Sequence, residues 1–408
     1  MSSTGIQSLE QVEIPADFYA DPYPTYRQLR EEDPVHWSDN WGAWLITRYE
    51  DVTTALQDHR QFSNASRYAK FVDHFPAELH DKLRPYADHF KTGLINSDPP
   101  DHTRFRGVVK DAFNRVMIEK LRPHVQSIVD DLLDSVADKG EMDVIRDLAF
   151  LLPTAVITQL LGVPLEDRFK FDAWATEIFS FQGGARAVPE KALKAQEGIL
   201  AFREYYRNLL DERLREPRDD IITQLAQAED DGVLNEDEVL SICVTLLLAG
   251  YGTTMALIGN SVLALLRHQD QLQKLKGDPA IITSAMEELL RYDSPVGRQN
   301  RVAVQDIELG GKTIRKGEVV ALLLGAANRD PAKFSDPDKL DLARTDNKHI
   351  AFGVGIHFCL GAPLGRLEGQ IAVNSLVQRF PDLRLADEAH VWREDIVIHG
   401  LESLPVVF

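Results

Sequence analysis

A chain of 408 residues with 44% hydrophobic content is long enough to bury a substantial core. Its formal net charge of −19 argues against nucleic acid or an anionic membrane as partner. Two cysteines, Cys243 and Cys359, exclude a disulfide framework and suit a reducing cytoplasm.

The opening stretch, Met1 to Pro15, is polar and acidic, with no basic run followed by an apolar one, so it reads as neither signal peptide nor anchor. Pro22 to Glu32 predicts a helix, and Val35-His36-Trp37 and Ala43 to Thr47 predict strands. From Asp101 to about Leu290 the pattern is helical, broken by Pro123, Pro153, Pro164 and Pro189. Inside it, Val239 to Leu266 carries no charge, which by length nominates a membrane span. Its middle reads Ala249-Gly250-Tyr251-Gly252-Thr253-Thr254, with Asn260 and Ser261 beyond, and charged stretches flank it on both sides. The segment therefore reads as a buried central helix, with Asn235 as its cap and Glu238 completing a capping box.

Glu288-Leu289-Leu290-Arg291 falls in a helix predicted from Pro279 to just before Pro295, where i and i+3 share a face. Alone, such a pair is a commonplace surface contact. A compact β section follows: Arg301 to Leu309, the Gly310-Gly311 turn, and Thr313 to Leu324. Leu383 to Phe408 is again strand and loop. The fold class is mainly α with a smaller β portion, in one unit spanning 1–408 without repeat or linker.

The most informative stretch is Phe352-Gly353-Val354-Gly355-Ile356-His357-Phe358-Cys359-Leu360-Gly361. Two glycines let the backbone bend close to the cysteine. The run from Ala362 to Phe380 places Leu364, Leu367, Ile371, Leu376 and Val377 on one helical face. The thiol thus precedes a helix N-terminus, where dipole and free N–H groups favour thiolate. A thiolate held by backbone donors suits an axial haem ligand. Zinc would need about four ligands, and only His349, His357 and Cys359 cluster here. A dinucleotide loop needs a third glycine where Phe358 stands, and a phosphate loop needs one where Asp306 stands.

This stretch resembles the cysteine-ligand loop of cytochrome P450, the haem-thiolate monooxygenases, whose pattern is Phe-Gly-x-Gly-x-His/Arg-x-Cys-x-Gly; Phe352, Gly353, Gly355, His357, Cys359 and Gly361 match. The resemblance implies a P450 fold, with a long central helix over haem b and Cys359 as the axial iron ligand. It places Arg344 in a buried cluster with Glu288 and Arg291 that fixes the cysteine loop. It assigns His102, Arg106, Arg301 and His357 to the haem propionates. It likens Ala249-Gly250-Tyr251-Gly252-Thr253-Thr254 to an oxygen-binding groove, with Thr253 delivering protons, where glycine and threonine would loosen the helical ladder.

One departure stands out: the residue before Thr253 is usually Asp or Glu, and here it is Gly252. A rerouted relay, poor coupling, or reliance on peroxide would each follow, so a peroxygenase-like variant and a non-catalytic haem-thiolate sensor stand as alternatives. The resemblance places substrate loops at 62–95, 171–187, 295–298 and 399–401, the first bearing Tyr68, Phe71, Phe75, Tyr86 and Phe90 and the second Phe179 and Phe181 beside Gly183-Gly184. It implies a hydrophobic small-molecule substrate, O2, and electrons from a separate ferredoxin with its NAD(P)H reductase. Arg104, Lys110, Arg115, Lys120, Lys348 and Arg366 would offer such a donor a basic patch. No nucleic acid, no membrane anchor, a cytoplasmic location and a monomer complete the expectation.

Overall fold

The structure, a computed structural model, describes residues 15, 17–65, 67, 71–182, 188–386 and 390–408. Its longest element is the central helix Glu236–Arg267. The Asn235 side chain accepts from the Glu238 amide at 3.0 Å, and the Glu238 carboxylate accepts from the Asn235 amide at 2.9 Å, so the expected capping box forms. Glu236, Asp237 and Glu238 add negative charge where the helix dipole favours it. This helix is long and apolar enough to cross a membrane, yet 83% of its most apolar stretch is buried inside the protein. A helix apolar all round belongs to the middle of a core.

Among the helices that pack directly on it are Leu151–Leu161, Pro189–Arg215, Ile282–Tyr292 and Ala362–Arg379. Small residues set the approach. A Cβ on Gly369 would lie 3.0 Å from Met286 Sδ and 3.1 Å from Leu257 Cδ2, so the last of these helices sits against both the Glu288 helix and the central one. Helix Arg168–Gln182 pairs with Pro189–Arg215 through aromatic contact, Phe171 stacking on Phe202 at 5.5 Å.

The main sheet runs Val35–Ser38, Ala43–Ile46, Val319–Leu323, Arg298–Ala303 and Phe62–Ser63, with one parallel pair between Ala43–Ile46 and Val319–Leu323. The Gly310-Gly311 turn joins Ile307–Leu309 to Lys312–Ile314, with both glycines at positive φ, +58° and +76°. Apart from Phe62–Ser63, which the sequence reading placed in a loop, these elements and helix Tyr23–Glu32 match the sequence expectation.

Three differences have local causes. Glu141–Asp143, inside the stretch read as wholly helical, is a strand pairing with Pro405–Val407, too short to show alternation. The Glu288 helix opens with a 3-10 turn, Pro279–Ile281, before Ile282–Tyr292. The segment read as a substrate loop at 62–95 contains a helix, Ala77–Phe90, despite Pro85 within it.

Candidate active site

The loop ahead of Cys359 is bent by two left-handed glycines, Gly353 at φ +68° and Gly355 at +78°. A Cβ on Gly355 would come 2.8 Å from the Leu56 carbonyl, so the loop lies directly on helix Tyr49–Gln57. Backbone bonds close it: the Gly353 amide donates to Ile350, Phe358 to Gly355, and Cys359 to Phe352 at 2.8, 3.1 and 3.0 Å. A Cβ on Gly361 would sit 4.0 Å from Cys359 Sγ. Helix Ala362–Arg379 then begins.

The sequence expectation of a ready-made thiolate needs correction. Burial pushes the Cys359 thiol up, and the Gly361 and Ala362 amides, with Arg106 and Arg366, only oppose that shift. A cation bonded to sulfur would overturn the balance, since a coordinating thiol is deprotonated outright.

Glu288 and Arg291 are fully buried and form a bidentate pair at 2.8 Å. Arg344 Nε donates to the same carboxylate at 3.0 Å, joined by the Asp341 amide at 3.0 Å and Asn347 at 3.2 Å. The three predicted residues are thus together. Arg291 also donates to the carbonyls of Asn328, Pro337 and Lys339. Asn328 accepts from the Ile350 amide at 2.8 Å, which carries the network to the start of the cysteine loop.

A second cluster was not anticipated. Arg366 donates twice to Glu287 at 2.7 and 2.8 Å while His349 approaches it at 3.0 Å, and Arg366 lies 4.4 Å over the Phe352 ring. Burial would raise the Glu287 carboxyl, but Arg366 and His349 hold it down at about 2. The Glu287-Glu288 doublet was its only signal in the sequence.

Beside the loop, His102 and His357 face each other with ring centroids 4.2 Å apart. Their Nε2 atoms are buried and without a hydrogen-bond partner among the described residues. Burial, with His102, Arg301 and Arg106, lowers His357 to about 2; burial with Arg67 lowers buried Arg301 to about 9. Arg298, three residues earlier, falls to about 10 through burial and Arg67. Buried Arg298 and Arg301 beside the two histidines suit a ligand bearing carboxylates, which fits the two propionates of haem. Arg106 plays a double part, donating to the Phe358 carbonyl at 2.9 Å. Arg67 and Arg298 were missed as members of this set.

The central helix runs unbroken through 249–254. Thr253 Oγ1 donates to the Ala249 carbonyl at 2.9 Å and Thr254 Oγ1 to Gly250 at 3.4 Å, so both hydroxyls fold onto the helix instead of opening its ladder. Gly250 serves packing: a Cβ there would lie 2.6 Å from Ile157 Cγ1. At Gly252 a Cβ would meet Phe179 at 3.3 Å. Glu368, one turn past Gly365, is fully buried with neither oxygen hydrogen-bonded among the described residues. Burial drives its carboxyl well up, with Thr254 the one group opposing.

Of the predicted substrate segments, 295–298 and 399–401 touch at His399, and Val397 just ahead of the second extends the contact. Gly297 donates to Val397 at 2.9 Å and His399 to Pro295 at 2.9 Å. Tyr68 and Gly183-Gly184 lie outside the described residues. Tyr86 and Phe90 are core, their rings tilted against each other with centroids 4.8 Å apart. The basic patch is smaller than expected, because Arg104 is engaged by Glu238 and Asp101 and Arg366 by Glu287. Lys110, Arg115, Lys120 and Lys348 remain exposed.

A thiol loop laid on a helix start, a buried carboxylate–guanidinium cluster beneath it and a cationic rim beside it together define a haem-thiolate site on a P450-like fold. Comparison with known proteins agrees. The family model described as Cytochrome P450 matches residues 280–395. 6-Deoxyerythronolide B hydroxylase of Saccharopolyspora erythraea is 39% identical over 398 residues, 95% of this chain and 96% of that protein. Vitamin D(3) 25-hydroxylase of Pseudonocardia autotrophica is 40% identical over 397 residues, covering 95% and 94%. The crystal structure of P450BioI with a hexadec-9Z-enoic acid ligated acyl carrier protein superposes with a TM-score of 0.88 at 37% identity, covering 97% and 100%. The chain belongs to the cytochrome P450 family, and it is a monooxygenase acting on a small molecule.

Two predictions follow from this geometry. Gly250→Ala should cost about 1–3 kcal/mol by overpacking Ile157. Gly252→Ala should stay within about 1 kcal/mol of the parent, helix propensity offsetting contact with Phe179. Urea unfolding reads both, and the reverse order would contradict the packing. Because the Glu287 carboxyl sits at about 2 against an ordinary 4.5, its stabilisation is complete above 4.5 and is lost as pH falls towards 2. Glu287→Gln should therefore trail the parent in urea midpoint at about pH 7, with a smaller gap at about pH 3; a gap that does not narrow would contradict this.

Proposed function

We propose that Cys359 is the axial ligand of haem b, and that this chain, as one catalytic unit, inserts one atom of O2 into an apolar small molecule. The observation that carries the assignment is the pair of orphaned imidazole nitrogens, His102 Nε2 and His357 Nε2, set with Arg301 beside a thiol loop. Bound there, haem supplies oxygen activation, and a thiolate ligand favours O–O cleavage.

The chain's own residues do the remaining work. His102, His357 and Arg301 hold the propionates, with Arg298 and Arg67 adding charge behind them. Arg106 ties the proximal helix to the Phe358 carbonyl and so steadies the loop. Thr253 presents its hydroxyl on the face shared with exposed Ala249, where it can accept and pass on a proton at Oγ1. Thr254 Oγ1 donates to the Gly250 carbonyl and acts on the Glu368 carboxyl, which burial raises. The threonine hydroxyl at 253 favours the O2-dependent reading over a peroxide-driven one.

The substrate belongs with the molecules named for the relatives: 6-deoxyerythronolide B, vitamin D(3), or a hexadec-9Z-enoic acyl chain. Segments 295–298 and 396–400, which pair with each other, would shape its seat. Val116 and Met117, exposed at 69% and 44%, lie in the short helix Arg115–Glu119 between exposed Arg115 and Lys120. That surface suits an acidic, ferredoxin-type donor fed by a separate NAD(P)H reductase. We place the protein in the cytoplasm as a monomer.

Reduction of the purified protein under carbon monoxide should give the red-shifted Soret band of a thiolate-ligated haem, and Cys359→Ser should lose it. A parent without that band, or a variant that keeps it, would contradict the assignment.

A further inference from the structure

Gly252 stands where an acid is expected, and the flank of the central helix at that point is not bare. Helix Arg168–Gln182 presents Asp172, Thr176 and Phe179, spaced four and three apart on one face. They meet Tyr251, Gly252 and Met255 of the central helix across a cavity of about 50 Å³. Arg393, from the C-terminal β segment, and Ile398 complete its wall.

The volume is large enough for water, and Asp172, Thr176 and Arg393 supply the polar partners such water needs. Phe179 fills the space a side chain at 252 would take, its Cζ 3.3 Å from a Cβ built there. A carboxylate on the central helix would compete with that ring. An acid on the facing helix does not.

We propose that Asp172 takes the place of the missing acid: it loads protons from solvent and passes them, through water in this cavity, across Gly252 to the groove at Thr253. The proposal rests on the monooxygenase reading above. Each turnover consumes two electrons from the donor and two protons from solvent. Asp172 releases one proton at a time from its carboxyl oxygen to cavity water, and bulk solvent reprotonates the carboxylate, so the residue ends unchanged. Its placement suits this role. Asp172 is half-buried, in touch with solvent on one side and with the cavity on the other. The charged and titratable groups facing it are Arg393 and Tyr251. Burial raises the Asp172 carboxyl and Arg393 opposes, while burial also raises Tyr251, leaving the carboxyl as the group that exchanges protons. Asp172 acts through water and Thr253, so it is a positioning and loading residue.

The test uses the haem-loaded protein with a ferredoxin and reductase pair that supports turnover. Asp172→Asn should lower product formed per reductant on the order of tenfold, divert electrons to peroxide, and enlarge the solvent deuterium isotope effect. Its substrate-induced spin shift and carbon monoxide band should match the parent. Asp172→Glu should recover most of the coupling. Apart from turnover, ¹³C-carboxyl NMR of Asp172 should titrate above the ordinary aspartate range. Parental coupling and isotope effect in Asp172→Asn would overturn the proposal. So would a loss that tracks weakened substrate binding, or an ordinary or depressed titration midpoint. A parent lacking both the thiolate-type band and product would instead sink the monooxygenase reading, and this proposal with it.

Discussion

Two arginines, Arg291 and Arg344, share one buried carboxylate, Glu288, and the position of Cys359 depends on that sharing. A buried guanidinium is tolerable only when its donors are met, and here the backbone meets the surplus. Arg291 takes the carbonyls of Asn328, Pro337 and Lys339, and Arg344 that of Ser335. The irregular chain from 328 to 350 is thereby wrapped around charge instead of around an apolar core. Removing one partner of such a pair costs about 3–5 kcal/mol, because the other charge is stranded. The cost makes the arrangement all or nothing, which is what a loop that must present one sulfur at one place requires.

The cysteine side and the cation side of the site are coupled through the same backbone. Arg106 reaches the Phe358 carbonyl, one residue before the thiol, while His357 lies against His102. The protein by itself leaves both ends of this site electrostatically unsatisfied. Burial pushes the Cys359 thiol up and depresses His357 and Arg301. A ligand carrying a cation at its centre and carboxylates at its edge relieves both at once. Binding and loop order should therefore rise together.

Much of this was legible in the sequence, because its strongest signals are local. Gly353 and Gly355 stand at positive φ, and Asn235 with Glu238 forms the capping box, each spelled out within a few residues. The Glu288–Arg291 pair follows from helical spacing, whereas Arg344 needed the resemblance to join them. What sequence did not give is contact between distant segments. Arg366 with Glu287, and Asp172 facing Gly252, depend on how helices cross. Two physical expectations also failed. Burial outweighs the amides that favour the Cys359 thiolate, and Thr253 and Thr254 bond to their own helix without breaking it. Propensity names the groups in each case, and packing decides which term wins.

The central claim is an iron–sulfur bond to one particular side chain of two. Cys243 is the other candidate, fully buried in the apolar core with its thiol pushed up. Resonance Raman spectra of the ferric protein labelled with ³⁴S-cysteine test the claim directly. The account predicts an iron–sulfur stretching band that shifts with the label and persists in Cys243→Ala. A spectrum with no sulfur-sensitive band, or one whose band disappears with Cys243, would contradict it.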